Sequence, residues 1–371
     1  MRICFVTVGD VAILATMKRA TGMAEPLIKS GHEVAIIALN CENNINRFNL
    51  ECPHIEYLLF EKGGVISEIK QKRKLIRDWS PELVYVCSIG FRNWIHKYNI
   101  PRKAISIVEH SELSSSISDN RKKFLSLVLE YLSPMIFDGQ LVASRYLEKH
   151  YKKGLLNILR NNKPILYSPY AYNPQLMNIK SSFYENLEEK YYGKKVVLYI
   201  GGLTLNYGFM DIIRSMEIVY KSRKDIIALI MGSGPDKEIG LEYIKEKQLE
   251  NCIQLLGYVP ETDIASYFKL ADAFVSPLFN TIQDKARCPS KLFMYIAFEK
   301  PIITCRIGEA IELFGDNGYY YVSGDAEQLA KMITVVVNDS VSKYSIDKSK
   351  HTWSYRTQGF LSWIATNFHR K

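Results

Sequence analysis

Residues 284–301 read DKARCPSKLFMYIAFEKP and gather three cations, Lys285, Arg287 and Lys291, around Pro289-Ser290 ahead of an apolar helix. If that helix begins near Ser290, the hydroxyl is a fair N-cap, and the free backbone N–H groups with the positive helix end favour an anion. The cations would add charge-assisted hydrogen bonds to phosphate oxygens. The plainer alternative is a solvated basic loop before a core helix. His110, in IVEHSE, closes a predicted strand between Glu109 and Glu112. A neutral imidazole there either bonds a ligand or is satisfied within the core. Glu309 and Glu312, in IGEAIELFGDNG, are acids that suit either a ligand hydroxyl or simply a helix N-terminus.

Other chemistries find little support. GSGPD, at 232–236, follows a strand but lacks a third glycine and any Lys-Ser/Thr pair, which argues against an NTPase or dehydrogenase loop. No Asp-x-Asp, no histidine pair at helical spacing and no Cys/His cluster is present, so no metal and no cofactor are expected. Seven cysteines lie singly without a C-x-x-C pair, pointing to a reducing cytoplasm.

Charge narrows the partners. Of the net charge of +9, residues 1–180 hold all of it, with 25 Lys/Arg against 16 Asp/Glu. The excess is densest at Lys70, Lys72, Arg73 and Lys74 and again at Arg121, Lys122 and Lys123. No nucleic-acid module accompanies these residues, so no nucleic acid is expected; an anionic membrane face contacted through Lys70, Lys72, Arg73 and Lys74 explains them better. No stretch reaches the roughly 20 uninterrupted apolar residues of a membrane span. The expected location is cytoplasmic, peripheral at the inner membrane face.

The elements that must hold these residues read as an α/β chain. A length of 371 residues suits two domains. Short β-branched runs alternate with amphipathic segments, as in parallel sheets covered by helices. Strands are expected at RICFVTV, EVAIIAL, ELVYVCS, AISIVE and QLVAS, then at KVVLYIG, IIALIMG, IQLLG, AFVSP, PIITC and YYYVS. The polar stretch at 172–193 marks the junction, giving domains 1–180 and 181–351. The aromatic tail 352–371 is expected to return to the first. Ligands of such sheets bind at the carboxyl ends of the strands, so a crevice between the two domains is expected to hold the site.

Five successive blocks then carry a resemblance: VVLYIGGL, IALIMGSGPD, LLGYVPETDIASYFKLADAFVSPL, RCPSKLFMYIAFEKPIIT and GDNGYYYVSGDAEQLAKMI. In order, spacing and chemistry they resemble the C-terminal domain of retaining family-4 glycosyltransferases. The first half is more loosely similar to that family's acceptor domain, through the Gly9 turn, SGHEVAII, IVEH and LVASRYLEKHY. The resemblance implies a GT-B fold of two Rossmann-like domains and a sugar transfer from a nucleoside-diphosphate sugar, with retention, to a glycan or lipid-linked acceptor.

Carried over residue by residue, it implies donor contacts at Gly201, Gly202 and Thr204. Lys285, Arg287, Ser290 and Lys291 would hold the diphosphate. His110, near the transferred sugar, and Glu309 would be the catalytic residues, with Glu312, the alternative register to Glu309, contacting the donor. Gly9, Asp10 and Glu109 would face the acceptor. Two departures stand out. The motif's usual arginine and lysine are replaced by Gly202 and Tyr207, and its ribose-binding acid by Met294, with Ala286 in place of the partner acid eight residues earlier. These departures favour, as an alternative, a non-catalytic GT-B protein that binds a glycan or partners a transferase. A nucleotide-sugar epimerase of the same architecture is a further alternative.

Overall fold

The computed structural model describes the chain except residues 12–16, 89–93, 118–119, 179–180, 339–345 and 369–371. Close contacts divide it into two units. One comprises Met1–Tyr172, Ala286–Cys288 and Ser349–Lys371; the other comprises Asn173–Lys285 and Pro289–Lys348.

The first unit is a seven-stranded parallel sheet of β1 (Arg2–Val6), β2 (Glu33–Leu39), β3 (Glu56–Phe60), β4 (Leu83–Val86), β5 (Ile105–His110), β6 (Gly139–Val142) and β7 (Ile165–Tyr167), in the order β3-β2-β1-β4-β5-β6-β7. Its inner strands are mostly apolar and well covered, and β1, β4 and β6 are buried almost throughout. The two edge strands are half-exposed, and neither was expected from the sequence pattern.

A buried ion pair crosses this core. Arg19, on the Met17–Lys29 helix, lies 3.0 Å from the Glu109 carboxylate of β5, and both are buried. The Tyr85 hydroxyl donates to the other Glu109 oxygen at 2.9 Å, and Arg19 donates to the Ser168 carbonyl at 2.7 Å. Burial disfavours the Arg19 cation, yet the adjoining carboxylate carries it above its ordinary value. Burial in turn lifts the Glu109 carboxyl, against the pull of the guanidinium.

The terminal helix, Trp353–Asn367, also belongs to this unit and buries Trp353, Phe360 and Ile364. Trp353 packs where Gly22 has no side chain: a Cβ at Gly22 would stand 2.3 Å from the indole Nε1. The chain also passes beside its own earlier segment here, with the Tyr172 N–H donating to His351 O at 3.0 Å and the Trp353 N–H to Tyr172 O at 3.2 Å.

The second unit is a six-stranded parallel sheet of β8 (Lys195–Ile200), β9 (Ile226–Met231), β10 (Ile253–Gly257), β11 (Ala273–Ser276), β12 (Ile302–Cys305) and β13 (Tyr319–Tyr321), in the order β10-β9-β8-β11-β12-β13. Each of its six strands lies within or overlaps a run expected from the sequence. Both sheets have the doubly wound, Rossmann-like order, with the crossover direction reversing beside their first strand in each case.

Candidate functional site in two sets of strand-end loops

In the second unit the chain leaves β8 through Gly201-Gly202, and this turn is pinned on three sides. The Gly201 N–H donates to Met231 O at 3.0 Å and the Leu203 N–H to Ser233 O at 3.0 Å. A Cβ at Gly232, whose φ is +129°, would fall 1.9 Å from the Gly201 carbonyl oxygen. The GSGPD glycines therefore serve to let the two loops touch, leaving the backbone no room for a side chain there.

On the third side is the Ser290–Ile296 helix. Its Tyr295 hydroxyl accepts the Ile200 N–H at 3.0 Å, which fixes the helix against the end of β8. Lys291 then lies with its Nζ 3.9 Å from the centroid of the Tyr199 ring, and 2.6 Å from where a Gly201 Cβ would be. Tyr199 in turn donates its hydroxyl to Gly202 O at 3.1 Å. The structure thus brings Gly201, Gly202 and Lys291 together. Thr204 follows in the same loop, where its carbonyl accepts the Tyr207 N–H at 2.9 Å.

Ser290 is a correction. It is the first helical residue and Pro289 occupies the cap position, so its hydroxyl does not cap the helix. Proline's fixed φ suits that boundary and supplies no side-chain acceptor.

The acids divide. Glu309 opens the Glu309–Phe314 helix and is buried, whereas Glu312, one turn on, is exposed. The Gly308 turn that precedes Glu309 presses on the backbone of Asp284 and Lys285, with a Cβ at Gly308 placed 2.7 Å from Asp284 O. Asp284 is itself buried and accepts the Phe279 N–H at 2.5 Å. Sequence reasoning passed over Asp284; an acid bordering a cationic run was the available signal.

Arg287 is assigned with Ala286 and Cys288 to the first unit, whereas Lys285, Ser290 and Lys291 are in the second. The three cations therefore do not form one cluster within a single unit. The Ala286 carbonyl accepts the Ser144 hydroxyl at 2.6 Å, and Cys288 Sγ accepts the Tyr170 N–H at 3.4 Å. Ala286 packs with Leu113, Val142 and Tyr151. Burial raises the nearby Glu112 carboxyl, with Arg287 acting against it.

The remaining first-unit residues are drawn inward. His110 is buried, with Nδ1 2.9 Å from the Tyr151 hydroxyl and Nε2 3.3 Å from Ser133 Oγ. Burial, aided by His150, pushes it down to about 3, so the ring is neutral. Glu109 has both oxygens engaged by Arg19 and Tyr85, so the expectation that it faces an acceptor is corrected: burial makes it part of the core. Gly9 and Asp10 form a turn held by Asn43 and Asn44, the latter accepting the Val11 N–H at 2.8 Å and donating to Gly9 O at 3.1 Å.

Lys72 is likewise corrected. On the Val65–Trp79 helix, Glu68, Lys72, Ile76 and Trp79 form the inward stripe. The Lys72 ammonium donates to Thr7 O at 2.7 Å and stands 4.3 Å over the Phe60 ring. It closes the end of β1 and is unavailable to a surface, while Lys70, Arg73 and Lys74 remain exposed.

Residues 194–339 match the profile of the family described as Glycosyl transferases group 1. The second unit carries a group 1 glycosyltransferase domain. The similarity extends beyond it: an uncharacterized glycosyltransferase of Methanocaldococcus jannaschii is 22% identical over 92% of this chain and 89% of that one. The amylovoran biosynthesis glycosyltransferase of Erwinia amylovora is 24% identical over 82% and 84%. Among solved structures, Anabaena HepE in complex with UDP-glucose is 15% identical, covers 99% of this chain and 97% of that one, and superposes with a TM-score of 0.71. The fold is GT-B.

Among the described residues no group of three or more His, Cys, Asp or Glu is placed to hold a metal ion, and no helix is long and apolar enough to cross a membrane.

Proposed function

We propose that the chain is a retaining glycosyltransferase that moves a sugar from a nucleoside-diphosphate sugar to a glycan or lipid-linked acceptor in cell-surface polysaccharide synthesis. The observation that carries this reading is the Lys291 ammonium beside the Gly201-Gly202 turn, in the unit that matches the group 1 domain. A glycine turn lets a diphosphate approach the backbone, and a lysine offsets its charge.

In the reaction the acceptor hydroxyl oxygen bonds the anomeric carbon while the bond from that carbon to the diphosphate breaks. The acceptor proton passes to a departing phosphate oxygen, and the new bond forms on the face the diphosphate leaves. Lys291, with Lys285 in the same unit, balances the charge that grows on the leaving group. Glu309 takes the hydroxyls of the donor sugar. Neutral and held by Tyr151 and Ser133, His110 acts as a positioning residue for the loop after β5. Lysine charge does the work that a metal ion does elsewhere, so transfer is expected to survive a chelator.

Met294 favours a second reading, in which the donor site is vestigial and the protein binds glycan without turnover. It is half-buried in the helix that carries Lys291, and a thioether is a weak acceptor for ribose hydroxyls. Incubation with UDP-sugars and GDP-sugars and an acceptor extract separates the two. Release of nucleoside diphosphate, with the product anomer matching the donor by proton NMR, supports transfer; binding without release supports the second reading.

A further inference from the structure

The first unit carries a surface that sugar transfer leaves unused. In the Asn120–Ile136 helix, Phe124, Leu127, Tyr131 and Met135 recur at helical spacing and all are exposed, Phe124 to 76%. The opposite side of the same helix buries Leu129, Glu130 and Ser133. An ordinary surface helix turns its apolar stripe inward and its polar face to water, so this stripe is on the wrong side for folding alone. The Gly154–Arg160 helix packs beside it and adds Leu155 and Ile158, one turn apart, with Ile158 72% exposed.

The stretch of chain that supplies this apolar surface carries charge mostly of one sign. Residues 121–163 hold nine Lys/Arg against three Asp/Glu, a net +6 of the chain's +9. The acids are spoken for. Glu130 is buried and accepts from the Ser115 N–H and hydroxyl, both at 2.8 Å. Asp138 accepts the Ser106 N–H at 2.9 Å and pairs with Lys97 at 3.3 Å. Glu148 pairs with Arg145 at 2.6 Å and Lys152 at 2.7 Å. Lys122 and Lys123, just before Phe124, and Lys153, just before the Gly154–Arg160 helix, are exposed; the side chain of Arg121 is outside the described residues.

We infer that this face docks on an anionic lipid bilayer, with the six apolar side chains entering the boundary between headgroups and acyl chains and the lysines meeting the lipid phosphates. Apolar insertion together with electrostatic attraction is the combination that interfacial binding requires. A second copy would set +6 against +6, and a nucleic acid would leave the aliphatic Leu127, Met135, Leu155 and Ile158 without a partner. The surface is distinct from Lys70, Arg73 and Lys74, and the inference depends on neither donor binding nor transfer. Vesicle binding can therefore fail while nucleotide binding persists.

The test is co-sedimentation of the full chain with vesicles of pure phosphatidylcholine and with vesicles containing phosphatidylglycerol. The full chain should sediment with the anionic vesicles and less so at high salt. Phe124→Ser with Ile158→Ser should weaken that binding at least about tenfold at every salt concentration. Lys122→Ser with Lys123→Ser should remove mainly the salt-sensitive part. As an independent readout, Phe124→Trp should gain fluorescence quenching by lipids brominated on their acyl chains. Equal sedimentation of the variants, no binding by the unaltered chain, or a dimer that the Phe124 and Ile158 changes convert to a monomer would overturn the inference.

Discussion

The loops at the carboxyl ends of the two sheets follow one plan, and both bury acids, Glu109 in the first and Glu309 with Asp284 in the second, but they place their lysines differently. In the first unit three of the candidates are absorbed: Glu109 pairs with Arg19, Lys72 closes β1 on Thr7, and His110 is bonded at both nitrogens. In the second, the Lys291 ammonium rests on an aromatic ring beside a turn with no side chains. A charge whose bonding capacity is used within the core holds the fold. The one set beside a bare glycine turn is where we propose that a ligand binds. Two sheets of the same topology thus require different experiments, with stability as the readout for the first and nucleotide affinity for the second.

The largest expected effect is on the first unit. Glu109→Ala leaves the Arg19 cation buried without its carboxylate and should destabilise the protein by about 3–5 kcal/mol, measured by urea unfolding. A cost near zero would mean that the pair is not buried as described. Next, Gly232→Ala forces a Cβ into the Gly201 carbonyl and should cost about 1–3 kcal/mol while also weakening nucleotide binding. This is the variant that blurs the comparison, since it strikes backbone and site together. Calorimetric titration alongside the unfolding curve separates its two effects.

A smaller effect concerns pH. His110 is depressed to about 3 from 6.5, so the folded state resists a proton that the unfolded chain accepts. Its contribution is complete above pH 6.5 and is lost as pH falls toward 3, with a slope of up to about 1.4 kcal/mol per pH unit. His110→Gln should flatten the acid limb of the stability profile by about one proton. An unchanged limb would show that the ring is protonated in the fold. Smallest of all, Arg73→Ser with Lys74→Ser should stay within about 0.5 kcal/mol of the parent, as exposed changes do.

The same contrast explains what was legible in the sequence. Eleven strands were readable, most clearly where burial on both faces writes a continuous apolar run, as in Ile226–Met231. The half-covered edge strands β3 and β7 were not, although β10, an edge strand covered no better than β3, was. The Gly201-Gly202 turn and the basic start of the Ser290–Ile296 helix were recognisable separately. Their meeting depended on Tyr295 reaching the Ile200 N–H, a tertiary bond that no local pattern encodes. Lys72 read as surface charge because its helix is rich in exposed cations. Only the position of the Thr7 carbonyl turns it into a core residue. Arg287 and Lys291 are four residues apart, and adjacency in sequence concealed that they are assigned to different units.

By our proposal the second unit receives a nucleoside diphosphate at the Gly201-Gly202 turn beside Lys291. Calorimetric titration of the intact protein with UDP, GDP and ADP, repeated on Lys291→Ala, tests it most directly. One of these nucleotides should bind, with a loss of affinity of about 10–100-fold in the variant and its unfolding curve unchanged. Equal affinity in the two proteins, or binding of none of the three, would contradict it.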